Sequence, residues 1–253
     1  MLSGTIVNIG IMVNAFVSAT VALASLALTI RLTRRHTWST PALESYTWFW
    51  WFTTLVWGCS AVRYVAAGLG YAGEWIGYAD MLVQASVFFG GPALFAFLVL
   101  RVTNSQLFST IAALLSFCMG IAALAFVLRP GGIPLNDVTS FSAEATVNIY
   151  SFRIFGIEVI ILAALAIYDI VHRLRNRATN GDVYQALLAA PLLLYLLLGS
   201  IDESKVITSW PLVVFRLLYV AGFLFVYIII THDEAKDESQ LFVTQSEGSY
   251  ANQ

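Results

Sequence analysis

The chain has 253 residues, 59% of them hydrophobic and only 11% charged, with 13 Lys and Arg against 15 Asp and Glu. Soluble domains carry about 25% charged residues, so this composition, with a mean hydropathy of +0.79, excludes one. The net charge of −2 says nothing about nucleic acid, but the sequence has no basic face for it, so no nucleic-acid partner is expected.

Seven apolar segments follow in order, roughly 5–32, 46–70, 76–101, 107–128, 148–172, 183–201 and 209–231. Each is long enough to cross a bilayer as a helix, which needs about 20 residues, and a helix satisfies its own backbone in hydrocarbon. The sequence therefore predicts an all-α fold, a seven-transmembrane-helix bundle over 1–232 with a lipid bilayer as its solvent. The first segment is too long for a signal-peptide core and lacks a basic flank, so it reads as a retained helix. Charges in the connections orient the bundle. Arg31, Arg34, Arg35, Arg101, Arg173, Arg175, Arg177 and Lys236 fall on one side, Arg129 and Lys205 on the other. By the positive-inside rule the N-terminus is outside and the C-terminus inside, in a multi-pass protein of the cell membrane.

Within this frame smaller features have plain readings. The aromatic run Tyr46–Phe52 starts at a membrane boundary, where Trp and Tyr belts anchor helices. Cys59 and Cys118 fall within spans and read as packing residues. Gly90, Gly91 and Pro92 permit a kink or a close approach in the third span. The connection Arg129–Val147, rich in Pro, Gly and Ser, is a lid or a tether. Asp169 and Arg173 form an i,i+4 pair. His36, His172 and His232 gather at the inner boundary. Residues 233–253 form a polar, disordered cytoplasmic tail.

Five ionisable residues are left at membrane depth: Arg63, Asp80, Arg153, Glu158 and Arg216. An arginine near the centre of a membrane helix costs at least about 2.5–3.5 kcal/mol, so Arg216 either has interior partners or snorkels to the headgroups. Counted from the segment ends, all five lie in the outer half, which suggests one buried polar layer. The expected pairing is Arg216 with Asp80, and Arg153 or Arg63 with Glu158; the competing reading puts Arg63 and Arg153 at a wet rim. No HExxH, paired CxxC or Gly-rich phosphate loop occurs, and no metal site is expected. An enzyme of unrelated type would have to use Asp80 and Glu158 as acid and base.

Four stretches then resemble a known family. Thr53-Thr54-Leu55-Val56, Tyr64 and Leu69-Gly70-Tyr71 resemble the second helix of the microbial (type 1) rhodopsins. Tyr78-Ala79-Asp80-Met81-Leu82 is similar to their third-helix RYADWL motif. Ala190-Pro191, Tyr195 and Gly199-Ser200 resemble their sixth helix around its kink proline, and Val220-Ala221-Gly222-Phe223 the stretch that begins at the retinal lysine.

The departures are concerted. The lysine position falls on Val220 or, with a shift of one, Tyr219, and neither forms an imine. The seventh-helix carboxylate position falls on Arg216 or Phe215. Asp80 keeps the counterion position, but the arginine three residues before it is Gly77, and the inner carboxylate eleven residues on is Gly91. The aromatic clamps fall on Met81, Leu187 and Leu194. The pocket that the resemblance implies is lined by Tyr64, Met81, Gln84, Leu187, Pro191, Leu194 and Tyr219. Arginine is not deprotonated in proteins, so Arg216 would lock a pair that switches in a pigment.

The expectation is an opsin-like protein without covalent retinal. It is neither an enzyme nor a light-driven pump, and acts through interaction, in a sensory, regulatory or membrane-organising role. Its partners would be a membrane or cytoplasmic protein or further copies of itself. The alternatives are a bundle that binds retinal or a carotenoid non-covalently, a lipid or an anion, and a pigment with atypical retinal attachment.

Overall fold

The structure is a computed structural model. It describes residues 8–34, 40–70, 74–127, 137–138, 143–144, 149–175, 187–204, 206–207 and 209–250, with the side chains at 74, 75, 137, 138, 143, 144, 203 and 232–250 outside that description. Arg35, His36, Tyr71, Arg129, Arg177 and Lys205 lie outside it too, as does most of the connection 129–147.

Seven helices stand among the described residues: α1 (Ile9–Arg34), α2 (Pro41–Gly68), α3 (Glu74–Thr103), α4 (Gln106–Val127), α5 (Ile149–Arg175), α6 (Ala190–Glu203) and α7 (Trp210–Tyr250). Each packs on the next in chain order, α3 also meets α5, and α7 returns against α1 to close the bundle. Between α4 and α5 a two-residue ladder, β1 (Asp137–Val138) with β2 (Ala143–Glu144), pairs antiparallel in the connection the sequence reads as a lid or a tether.

Five of the helices are long and apolar enough to cross a membrane: α1, α3 from Ile76, α4, α5, and α7 as far as Thr231. Their faces explain why. On α1 the residues turned inward include Asn14, Ser18, Ser25 and Thr29, whereas Ile9, Phe16 and Leu23, seven apart, stand exposed. α4 does the same, burying Ser109, Ser116, Gly120 and Ala123 and exposing Leu107, Leu114 and Ile121. A soluble helix has the reverse pattern. Polar residues inside and apolar residues outside suit a helical bundle embedded in a membrane.

Local chemistry sets the ends. Thr40 caps α2, its hydroxyl accepting from the Leu43 amide at 3.3 Å, and Pro41 occupies the first turn, where a missing N–H costs nothing. Gly70, at φ 77°, terminates the same helix in the left-handed region. In the sixth segment the helical turn at Leu187 is broken by a turn at Leu188 and Ala189, and Pro191 lies in the first turn of α6. A proline ring clashes with the carbonyl four residues back, here that of Leu187. The α7 backbone continues as helix to Tyr250, past Asp233, where the sequence predicts disorder; its Glu, Ala, Lys and Gln are good helix formers.

The aromatic run at the start of α2 requires a correction. Helical periodicity splits it, so Tyr46, Phe49 and Trp50 are buried while Trp48 faces out. Trp50 meets Phe223 of α7 edge-on at 5.2 Å and Tyr195 of α6 at 6.0 Å. These rings form the core of the bundle rather than a boundary belt. Cys118 is also exposed on α4 rather than packed, and Cys59 is half-buried.

Candidate functional site

Arg216, the seventh residue of α7, faces the interior and is 4% exposed. Its guanidinium grips Asp202 side-on, Nε to Oδ2 at 3.1 Å and Nη2 to Oδ1 at 2.9 Å. Nη1 donates to Asn14 Oδ1 at 3.0 Å and to Tyr64 Oη at 2.7 Å. Tyr64 Oη also accepts from Arg63 Nη2 at 3.0 Å, and Arg63 makes an ion pair with Asp80. The chain Asp80–Arg63–Tyr64–Arg216–Asp202, with Asn14 attached, thus ties α3, α2, α7, α6 and α1 together. Each guanidinium has its carboxylate, and the cluster is neutral. Asp202 sits in the last turn of α6, where the helix dipole disfavours an anion, so Arg216 is what holds it there.

This differs from the expected pairing. Arg216 does not pair with Asp80, because Asp202, one residue beyond the apolar run, reaches back to it and Arg63 takes Asp80. Arg63 is fully interior, not at a rim. Arg153 is exposed on α5 and takes no part in the cluster.

Glu158 belongs to a second site. It is 4% exposed, and its one hydrogen-bond partner among the described residues is Ser116, whose Oγ donates to Oε1 at 2.9 Å. A Cβ built on Gly91 would lie 3.5 Å from Glu158 Oε2 and 3.0 Å from Ser116 Oγ, so the carboxyl fills the space a side chain at position 91 would take. Gly91 stands eleven residues after Asp80 on α3, about 16 Å further along the helix. The single polar layer expected from the sequence is therefore two. The close approach expected of Gly91 is present. Neither Arg63 nor Arg153 serves Glu158.

A cavity of about 130 Å³ runs between these two sites. Of the expected pocket residues, Gln84 and Tyr219 line it, together with Arg63, Asp80, Glu158 and Arg216. Tyr64 is buried beside it in the ion cluster. Met81, half-buried, and Leu187 do not line it, while Pro191 and Leu194 border a separate small void against Trp50 and Phe223. Tyr219 is 2% exposed and Val220 half-buried, so α7 turns Arg216 and Tyr219 inward together. Aromatic walls come from residues with no match to the expected clamps: Phe49, Trp57, Phe155 and Tyr195.

At the far end of the bundle Asp169 pairs with Arg173 at 2.7 Å, as its spacing predicts, and also with Arg101 of α3 at 2.8 Å. Arg173 Nη2 donates to the Arg101 carbonyl at 3.2 Å. Of the three histidines only His172 has a described side chain; it stacks on Tyr168. Among the described residues no cluster of His, Cys, Asp or Glu could hold a metal.

Asp202 and Asn14 were not singled out by sequence. Asn14 had a signal: with Ser18, Ser25 and Thr29 it forms a polar stripe on one helical face. Asp202 had only its place at the end of an apolar run. No family model matches the chain, and no curated protein matches it.

Proposed function

We propose that the chain is an opsin-like membrane protein with seven spans, N-terminus outside, that carries no retinal and works through interaction with other proteins or lipid in the cell membrane. The observation that carries this reading is Arg216. On the resemblance to microbial rhodopsins, in the register that puts Val220 rather than Tyr219 at the lysine position, it takes the place of a seventh-helix carboxylate one turn before. Its partners Asp202, Tyr64 and Asn14 hold a permanent cation in the interior, which cannot take up and release a proton as an imine does. Neither Lys205 nor Lys236 lies in a span, and light-driven pumping therefore lacks its carrier. The arrangement suits a bundle kept in one conformation and read from its surface, as a sensory, regulatory or membrane-organising subunit is.

A second reading, a small-ligand protein, is favoured by the cavity. Its 130 Å³ is well below the roughly 300–1,000 Å³ of pockets for drug-sized ligands, which counts against retinal or a carotenoid as a non-covalent occupant. The test is the visible spectrum of purified protein with added all-trans-retinal, before and after hydroxylamine. The free-retinal spectrum is expected. A red-shifted band that hydroxylamine bleaches would overturn the reading, and a shifted band that resists it would move the assignment to a non-covalent retinal binder.

A further inference from the structure

Four carboxylates, Asp80, Asp169, Asp202 and Glu158, are buried or nearly so in the bundle, and the first three each have an arginine. Glu158 has none among the described residues, and Ser116 occupies only its Oε1. A carboxylate without a counter-charge in such surroundings is costly. It also lines the cavity, where Phe155, three residues before it, shares its helical face. The lining also holds the rings of Phe49, Tyr195, Tyr219 and Trp57, in edge-to-face contact: Phe49 to Tyr195 at 5.5 Å, Tyr195 to Tyr219 at 5.3 Å, Tyr219 to Trp57 at 4.7 Å, with the Arg216 guanidinium over the Trp57 ring at 5.8 Å. An acid and aromatic rings lining one cavity are the chemistry that recognises an alkylammonium group.

We propose that this cavity binds a small organic ammonium ion, its charge met by Glu158 and its apolar body by the aromatic wall. The proposal needs no kinship with opsins. Arg63 and Arg216 also line the cavity, but each is neutralised by its own aspartate, so they leave Glu158 to set the sign. The size follows from the volume. A cavity of about 150 Å³ takes benzene, so one of 130 Å³ takes a body no larger than a ring or a tert-butyl group. The cation supplies the charge that Glu158 lacks, and no other group in the lining need change partners.

Three probes with one tert-butyl body separate charge from shape: tert-butylammonium, the isosteric tert-butanol, and the anion pivalate. With the full chain in lipid nanodiscs, tert-butylammonium should raise the melting temperature saturably, as binding to the folded state requires. The neutral alcohol and the anion should not. Glu158→Gln, which keeps an acceptor for Ser116 and removes the unpaired charge, should hold or raise the melting temperature of the unliganded protein and lose the shift. If that variant does not fold, Ser86→Leu, which fills the cavity from α3, should lose the shift instead. An equal shift with tert-butanol, an equal shift with sodium or potassium chloride, persistence in both variants, or no shift with tert-butylammonium would each overturn the proposal.

Discussion

Replacing Asp202 with Asn isolates the Arg216 site with almost no change in shape. The carboxylate accepts two N–H groups from Arg216, at 3.1 and 2.9 Å, and Asn can replace one of those acceptors but not the charge. Breaking a buried pair by removing one partner costs about 3–5 kcal/mol, since the other charge stays behind. The Asp202 side chain is 14% exposed, so water can reach it and the low end applies. Arg216 also keeps its bonds to Tyr64 and Asn14, both uncharged. A loss near 3 kcal/mol follows, about a hundredfold in the folding equilibrium at 1.4 kcal/mol per tenfold. The assay is unfolding of the detergent-solubilised protein by sodium dodecyl sulfate, followed by tryptophan fluorescence. Arg153→Gln, at an exposed position on α5, is the control and should change stability by no more than about 0.5 kcal/mol. Asp202→Leu with Arg216→Met should recover most of the loss, because an apolar replacement leaves no stranded charge. If Asp202→Asn unfolds like the parent, Arg216 has no interior partner there and the cluster is wrongly drawn.

Other outcomes follow from the same geometry. Asp80→Asn should cost about 3–5 kcal/mol in that assay, since it strands Arg63, which is 5% exposed. Gly120→Leu should cost about 1–3 kcal/mol by overpacking, because a Cβ there would stand 3.1 Å from the Phe88 carbonyl oxygen. Trp50→Ala should lose about 3–5 kcal/mol, whereas Trp48→Ala on the outward face of α2 should stay within about 0.5 kcal/mol. Equal losses at the two tryptophans would return the aromatic run to the membrane boundary.

What was legible in the chain was whatever depends on composition along one helix. Spans can be read because hydrocarbon demands a length of apolar residues, and five helices meet that demand directly. α2 reads less clearly on a hydropathy scale because Trp, Tyr and Thr score as polar, although Tyr46, Trp50, Thr53, Trp57 and Tyr64 are buried in the core. The Asp169–Arg173 pair was legible since both partners lie on α5, one turn apart. Partners on different helices were not. Depth counted from a segment end carries an error of a turn or more, which placed Glu158 level with Asp80 when it lies beside Gly91. Asp202 escaped because it ends its helix just past the apolar run, and only the packing of α6 on α7 brings it to Arg216. The inward face of the aromatic run was written in its periodicity, with Tyr46, Phe49, Trp50, Thr53 and Trp57 at helical spacing, but a boundary position invited the other reading.

The proposal that the bundle carries no retinal is tested most directly by borohydride reduction of protein incubated with all-trans-retinal, followed by intact mass measurement and peptide mapping. Reduction makes any imine permanent. The expected result is the unmodified chain of 27.8 kDa, with trace adducts confined to Lys205, Lys236 or the N-terminal amine. A stoichiometric retinyl adduct mapped to α7, or to any other membrane-embedded helix, would contradict the proposal of a retinal-free bundle.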